Sequence, residues 1–347
     1  MRRSLQRGLL AGLLAIGAVM AYLGALWLLG PVMSVATGAS APAPVVVEIT
    51  DGMTLRHLAA KLERDRLIRS ELAFVLLAKF TGADRHLKAG EYALHAGMRP
   101  RDILNEFLSG RGVLHQITIP EGYTIVEMAQ VVAQKSLADP EEFIRLTRDK
   151  AFIRSLEIEA ASLEGYLFPN TYKFARRTKP KDILKEMVAG LRTVVTPELA
   201  QRTQEIHMSL HQVLTLASIV EKEAGLESER PLIASVFHNR LERGIPLQSD
   251  PTVIYGLEHF DGNIRKQDLD SPSPYNTYRV RGLPPGPIAN PGLGSIKAVL
   301  YPASTTNLYF VSRNDGTHQF SATLAEHNRA VEKYQRRRGV TSTKRSA

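Results

Sequence analysis

Two carboxylates, Glu221 and Glu223, end an apolar run, Leu214-Thr-Leu-Ala-Ser-Ile-Val-Glu-Lys-Glu-Ala-Gly225. A carboxyl group at the edge of a dry helix face loses hydration, which favours its protonated form. Such a group can act as a general acid near neutral pH. At about 100° per residue, Val213, Leu214, Leu216, Ala217, Val220 and Ala224 fall within about 80° of one direction, the predicted buried face. Lys222 points away from it, Glu223 lies about 100° off and Glu221 about 60° off, at the border between core and water. The wheel therefore selects Glu221 as the acid and leaves Glu223 as a surface or loop-pairing neighbour. The plain alternative is a solvated Glu-Lys-Glu on a helix surface.

Other chemistries find less support. The chain has no cysteine, which excludes disulfides, thiol catalysis and thiolate metal sites. His207 and His211 have the i, i+4 spacing of two helical zinc ligands but lack the glutamate of HExxH. No G-x-S-x-G or G-x4-G-K-[ST] run occurs, so serine-hydrolase and P-loop chemistry fall away. Neither a metal nor a cofactor is called for.

The elements that must position these groups begin with an apolar stretch. Leu9 to Leu29 carries no charge and is long enough to span about 30 Å of hydrocarbon as a helix. Arg2, Arg3 and Arg7 precede it and favour a cytoplasmic N-terminus for residues 1–8, with the body outside the inner membrane. A cleaved signal peptide ending at Ala39-Ser40-Ala41 is the rival, though its apolar core normally runs about 7–15 residues. Residues 30–44, small and Pro-containing, read as a linker. The formal charge of +9 is concentrated at the two ends, including the basic tail 335–347, so a nucleic-acid-binding fold is not indicated.

A weak repeat follows at an offset of 70: Ile49-x-x-Gly52-x-Thr54 answers Ile119-x-x-Gly122-x-Thr124. Each copy reads strand, glycine turn and helix with threonine as N-cap. The arrangement across residues 45–150 resembles the LysM-like modules of cell-wall proteins. A helix is predicted between the copies near 72–81, and after the second copy near 140–147, 183–194, 197–224, 231–243 and 322–336, with a strand at 308–312. From Gly244 to Pro302 the chain is rich in Pro, Gly and Asn, including Ser273-Pro-Tyr-Asn-Thr-Tyr278 and Gly282-Leu-Pro-Pro-Gly-Pro-Ile-Ala-Asn-Pro-Gly292. Long stiffened loops of this kind commonly carry binding and chemistry. The predicted fold is α+β, with small βα modules followed by a mixed catalytic domain over 151–334.

Several long motifs in order carry a resemblance. Leu163-Glu-Gly-Tyr-Leu-Phe-Pro-Asn-Thr-Tyr172, Ala217-Ser-Ile-Val-Glu-Lys-Glu-Ala224, Ala234-Ser-Val-Phe-His-Asn-Arg-Leu241, Leu247-Gln-Ser-Asp-Pro-Thr-Val-Ile-Tyr-Gly256, Tyr275-Asn-Thr-Tyr278 and Gly282-Leu-Pro-Pro-Gly286 closely resemble YceG-type endolytic murein transglycosylases. Asn170 stands where members often carry Asp. The resemblance implies a membrane-anchored lyase that cuts nascent peptidoglycan strands between MurNAc and GlcNAc, leaves a 1,6-anhydroMurNAc end and works beside peptidoglycan synthases. It also implies Glu221 as the catalytic glutamate. A glycosidase of the usual kind needs two carboxyl groups. In a lytic transglycosylase the sugar's own C6 hydroxyl attacks C1, so a single acid and base suffices. Glu164, Tyr166, Gln248, Asp250, Tyr275 and Asn276 are candidate substrate contacts, although turn-forming Asp and Asn often bond their own backbone. The reading from another class is a non-catalytic cell-wall-binding scaffold for the synthases.

Overall fold

The structure, a computed structural model, describes residues 2–33, 42–176 and 178–336, with side chains from residue 13 to residue 335. The described residues form two compact units. The first comprises residues up to 115 together with 175–177, and the second comprises 116–174 and 178 onward.

Unit 1 opens with α1 (Arg2–Leu28), followed by β1 (Val45–Ile49), α2 (Leu55–Arg64), α3 (Glu71–Phe80), β2 (Gly90–Leu94) and α4 (Pro100–Ser109). β1 and β2 pair antiparallel, Val45 opposite Leu94 and Ile49 opposite Gly90. Alternation along β1 puts Val47 and Ile49 into a core with Leu58, Leu62, Phe74, Tyr92 and Phe107. The predicted cap of α2 is present, Thr54 Oγ1 accepting from the His57 amide at 3.2 Å.

Among the described residues no helix is long and apolar enough to cross a membrane. The apolar side chains of α1 are described only from Leu13, so the expected span of 9–29 falls partly outside them. Residues 34–41 of the expected linker and 337–347 of the basic tail also lie outside the described residues.

Unit 2 takes over within β3 (His115–Thr118) and continues through α5 (Ile125–Gln134), α6 (Pro140–Leu146), α7 (Lys150–Ser155), β4 (Thr171–Phe174), α8 (Pro180–Val194) and α9 (Pro197–Glu205). It then runs through α10 (Leu210–Glu223), α11 (Arg230–Glu242), α12 (Asp250–Gly256), α13 (Leu293–Leu300), β5 (Tyr309–Ser312), β6 (His318–Ser321) and α14 (Leu324–Val331). β3 pairs with β4, and β5 pairs antiparallel with β6. The described strands thus form three two-stranded sheets among many helices, a mixed architecture in line with the predicted class.

The repeat is present in its local form. Gly52 and Gly122 turn at φ of 77° and 75°, a region glycine enters without a Cβ clash, and Thr54 and Thr124 cap the helices that follow. The two copies nevertheless belong to different units. Ile125, Met128, Ala129 and Val132 of α5 pack into the unit 2 core with Phe143 and Leu163, so the division falls at residue 115 rather than near 150. The predicted 197–224 helix is likewise two, α9 and α10. The break is His207, at φ 56° outside both.

Candidate active site

α10 is built as its sequence requires. Ser209 and Gln212 form a reciprocal cap, each side chain bonded to the other's backbone amide. Val213, Leu214, Leu216, Ala217 and Val220 are fully buried, as the wheel predicts. Ser218 ties the helix to the Pro-rich segment by accepting from the Ile288 amide at 3.0 Å.

The two carboxylates at the end of α10 meet different surroundings. Glu221 is walled in, its side chain 7% exposed. Arg230, at the start of α11, donates to Oε1 at 3.0 Å, and the Gly292 amide donates to Oε2 at 3.0 Å. The same guanidinium reaches Glu121 at 3.1 Å and Glu227 at 3.6 Å. Glu221 therefore fastens the end of α10 to α11 and to the loop before α13, with both oxygens engaged. Glu221 keeps the border position between core and water that the wheel gives it, but protein donors occupy both of its oxygens.

Of the two readings of Glu223, surface or loop-pairing, the structure shows the second. The residue is half-buried, and its Oε1 accepts from Ser249 Oγ at 2.6 Å. Burial pushes its carboxyl up from the ordinary value and the charge of Asp250 adds to this, while the Ser249 bond, His318 and Arg240 pull the other way. A half-buried carboxyl with raised proton affinity and a single hydroxyl donor is suited to holding and releasing a proton.

The loop that brings Ser249 to Glu223 is held from below by Arg240. Its guanidinium is buried and donates to the carbonyls of Leu247 at 2.8 Å, Pro246 at 3.2 Å and Leu308 at 2.7 Å, and to Gln248 Oε1 at 3.4 Å. Gln248 sits at φ 51°, a conformation that non-glycine residues adopt only where the surroundings impose it. The Gln248 and Ser249 amides donate to Thr277, the first to its carbonyl and the second to its hydroxyl. Gln248 and Asp250 are exposed on either side of the buried Ser249, and Tyr278 donates its hydroxyl to Asp250 at 2.6 Å. On the remaining side His318 of β6 pairs with Glu229 at 2.7 Å.

Of the predicted contacts, Gln248 and Asp250 thus join Glu223, and the others do not. Glu164 is buried and accepts from the Ile125 amide at 3.1 Å, Asn290 Nδ2 at 2.7 Å and Tyr255 Oη at 3.3 Å. Burial pushes its carboxyl up to about 8, and its role is to knit α5, α12 and the loop before α13. Tyr166 bonds His211 Nδ1 at 2.8 Å, and His211 Nε2 meets the Pro285 carbonyl at 2.9 Å. His211 thereby tethers α10 to the Pro-rich loop. Among the described residues no cluster of three or more His, Cys, Asp or Glu could hold a metal. Tyr275 packs on Tyr255, ring centroids 4.9 Å apart. Asn276 is fully buried and spends its amide on the Leu269 and Ser271 carbonyls, so it presents nothing to a ligand. Sequence reasoning missed Ser249, Tyr278 and Arg240 as site residues, although all three lie inside motifs already singled out.

Comparison with known proteins agrees with this layout of motifs. A profile of the YceG-like family matches residues 47–333. The chain belongs to the YceG-like family. Within it, the chain is 37% identical over 306 residues to the endolytic murein transglycosylase of Bacillus subtilis (strain 168), covering 84% of each chain. It is 33% identical over 319 residues to the protein of the same name from Streptococcus pneumoniae serotype 2 (strain D39), covering 83% of this chain and 58% of that one. A 2.6 Å crystal structure of a YceG-like protein from Listeria monocytogenes matches with a TM-score of 0.58 and 34% identity, over 83% of this chain and 98% of that one.

Proposed function

We propose that this YceG-like protein is a lytic transglycosylase that cuts peptidoglycan glycan strands internally, with Glu223 as the acid and base. The observation that carries the assignment is the contrast at the end of α10. Glu221 has both oxygens taken up by Arg230 and Gly292, whereas Glu223, partly buried like it, is raised in proton affinity and bonded to one hydroxyl.

In this reading the protonated Glu223 gives its proton to the glycosidic oxygen as the C1–O bond to the GlcNAc breaks. The MurNAc C6 hydroxyl attacks C1 and yields its proton to the Glu223 carboxylate, forming the 1,6-anhydro ring and restoring the acid. The nucleophile belongs to the substrate, which supplies the proximity advantage that a free water lacks. Ser249 orients the carboxyl, and Gln248, Asp250 and Tyr278 are the polar groups placed to meet hydroxyl and N-acetyl substituents. Residues 45–115, the folded part of the first unit, are proposed to hold the strand as a LysM-like module does. The uncharged stretch 9–29 is proposed as an inner-membrane anchor with the catalytic unit outside the cytoplasm, where synthases would be its partners.

The test of the reaction class is mass spectrometry of purified glycan strands incubated with the full chain. Internal fragments with anhydro ends are expected. Binding to the strands without fragment release would instead favour the non-catalytic scaffold.

A further inference from the structure

α3 is apolar on both of its faces. Its sequence, ELAFVLLAKF, buries Phe74 and Ala78 in the unit 1 core yet leaves Leu72 69%, Leu76 48% and Phe80 90% exposed. Spaced four apart, these three side chains form one stripe along the outer face. A helix on the surface of a soluble module would carry polar groups there.

The stripe continues onto α1. Ala25, Leu28 and Leu29 line one recess of about 370 Å³ together with Leu72, Leu76 and Phe80. Arg69 fastens the junction, donating to the Trp27 carbonyl at 2.7 Å while its guanidinium lies over the Trp27 ring at 4.6 Å. Trp27, Leu26 and Leu23 are themselves exposed, and Lys79 stands exposed beside Phe80. An apolar stripe edged by tryptophan, arginine and lysine matches a membrane interface: apolar bodies enter the acyl region and cationic tips stay at headgroup level.

We propose that this face of unit 1 docks on lipid, with α3 lying in the bilayer interface beside α1 and Leu72, Leu76 and Phe80 inserted. The proposal rests on the reading of α1 as membrane-embedded and extends it to the folded module. It gives unit 1 a second, non-spanning hold on the bilayer and so fixes its orientation at the surface.

The chain has no cysteine, so single cysteines can be placed without background. The full chain carrying Phe80→Cys, Trp27→Cys or Val46→Cys is labelled with an environment-sensitive fluorophore and reconstituted into vesicles whose acyl chains carry a quencher. Val46 is exposed on the sheet face that alternates away from Val47, and serves as the apolar control. Quenching at positions 27 and 80 but not at 46 is expected, and Leu76→Asp should abolish it at 80 while leaving 27 unchanged. Quenching at 27 with none at 80 overturns the dock and leaves the anchor standing. No quenching at either position overturns both. A label at 80 that escapes the lipid quencher yet is shielded from aqueous iodide in native membranes identifies a protein partner, and also overturns the lipid dock.

Discussion

Replacing Glu164 with Gln should flatten the dependence of stability on pH between about 5 and 8. The Glu164 carboxyl is raised from 4.5 to about 8 in the fold, chiefly by burial. A group whose folded-state value is raised contributes stability that is fully present below the unfolded value and is lost as pH climbs through the folded one. At about 1.4 kcal/mol for each tenfold in proton affinity, the whole excursion is worth about 5 kcal/mol. The slope inside the window approaches about 1.4 kcal/mol per pH unit. Glutamine can keep Oε1 toward Asn290 and Ile125, and the Tyr255 hydroxyl can turn from donor to acceptor for the new amide, so the fold should survive. Urea denaturation followed by circular dichroism at pH 5, 6, 7 and 8 gives the comparison. The variant should be slightly less stable than wild type at pH 5 and more stable than it, by about 2–3 kcal/mol, at pH 8. Parallel curves for the two proteins would refute the account of Glu164 as a buried, largely protonated brace.

Further outcomes follow from the same geometry. Arg230→Met leaves the Glu221 carboxylate closed in without its cation and should cost about 3–5 kcal/mol in a denaturation midpoint analysis, much of it recovered by adding Glu221→Leu. Gly165 sits at φ 84° with Pro287 Cγ 2.3 Å from where a Cβ would stand, so Gly165→Ala should cost about 3 kcal/mol in the same assay. Catalysis should persist above the usual carboxylate range and fall as pH rises through the raised Glu223 value, since the acid must be protonated. Ser249→Ala removes a bond that lowers this value, so the alkaline limb of the kcat/KM profile should move to higher pH.

Local periodicity and capping made much of the scaffold legible. The buried face of α10, the threonine caps of α2 and α5 and the spans of α3, α6 and α11 all follow from residues within a few positions of one another. The α9–α10 break was missed although Ser209-x-x-Gln212 spells a capping pair at the start of α10; the left-handed turn before it falls on His207 rather than on a glycine. The site was half legible for a related reason. A helical wheel fixes the angle of Glu221 and Glu223 to the core, but not what covers the end of the helix. Gly292 lies 71 residues beyond Glu221, and the loop carrying Ser249 lies 26 beyond Glu223. Those long-range partners engage both oxygens of the carboxylate nearer the core direction and bond the other through a single hydroxyl. Asn276 shows the same limit: a polar loop residue suited to a sugar is consumed by carbonyls of its own loop.

The most direct measurement compares Glu223→Gln with Glu221→Gln on purified glycan strands, scoring anhydro-ended fragments by mass spectrometry beside a thermal melt of each protein. The account predicts that Glu223→Gln melts like wild type and releases no anhydro fragments, while Glu221→Gln melts earlier and still releases them at temperatures where it is folded. Undiminished product from Glu223→Gln, or loss of product from a fully stable Glu221→Gln, would contradict it.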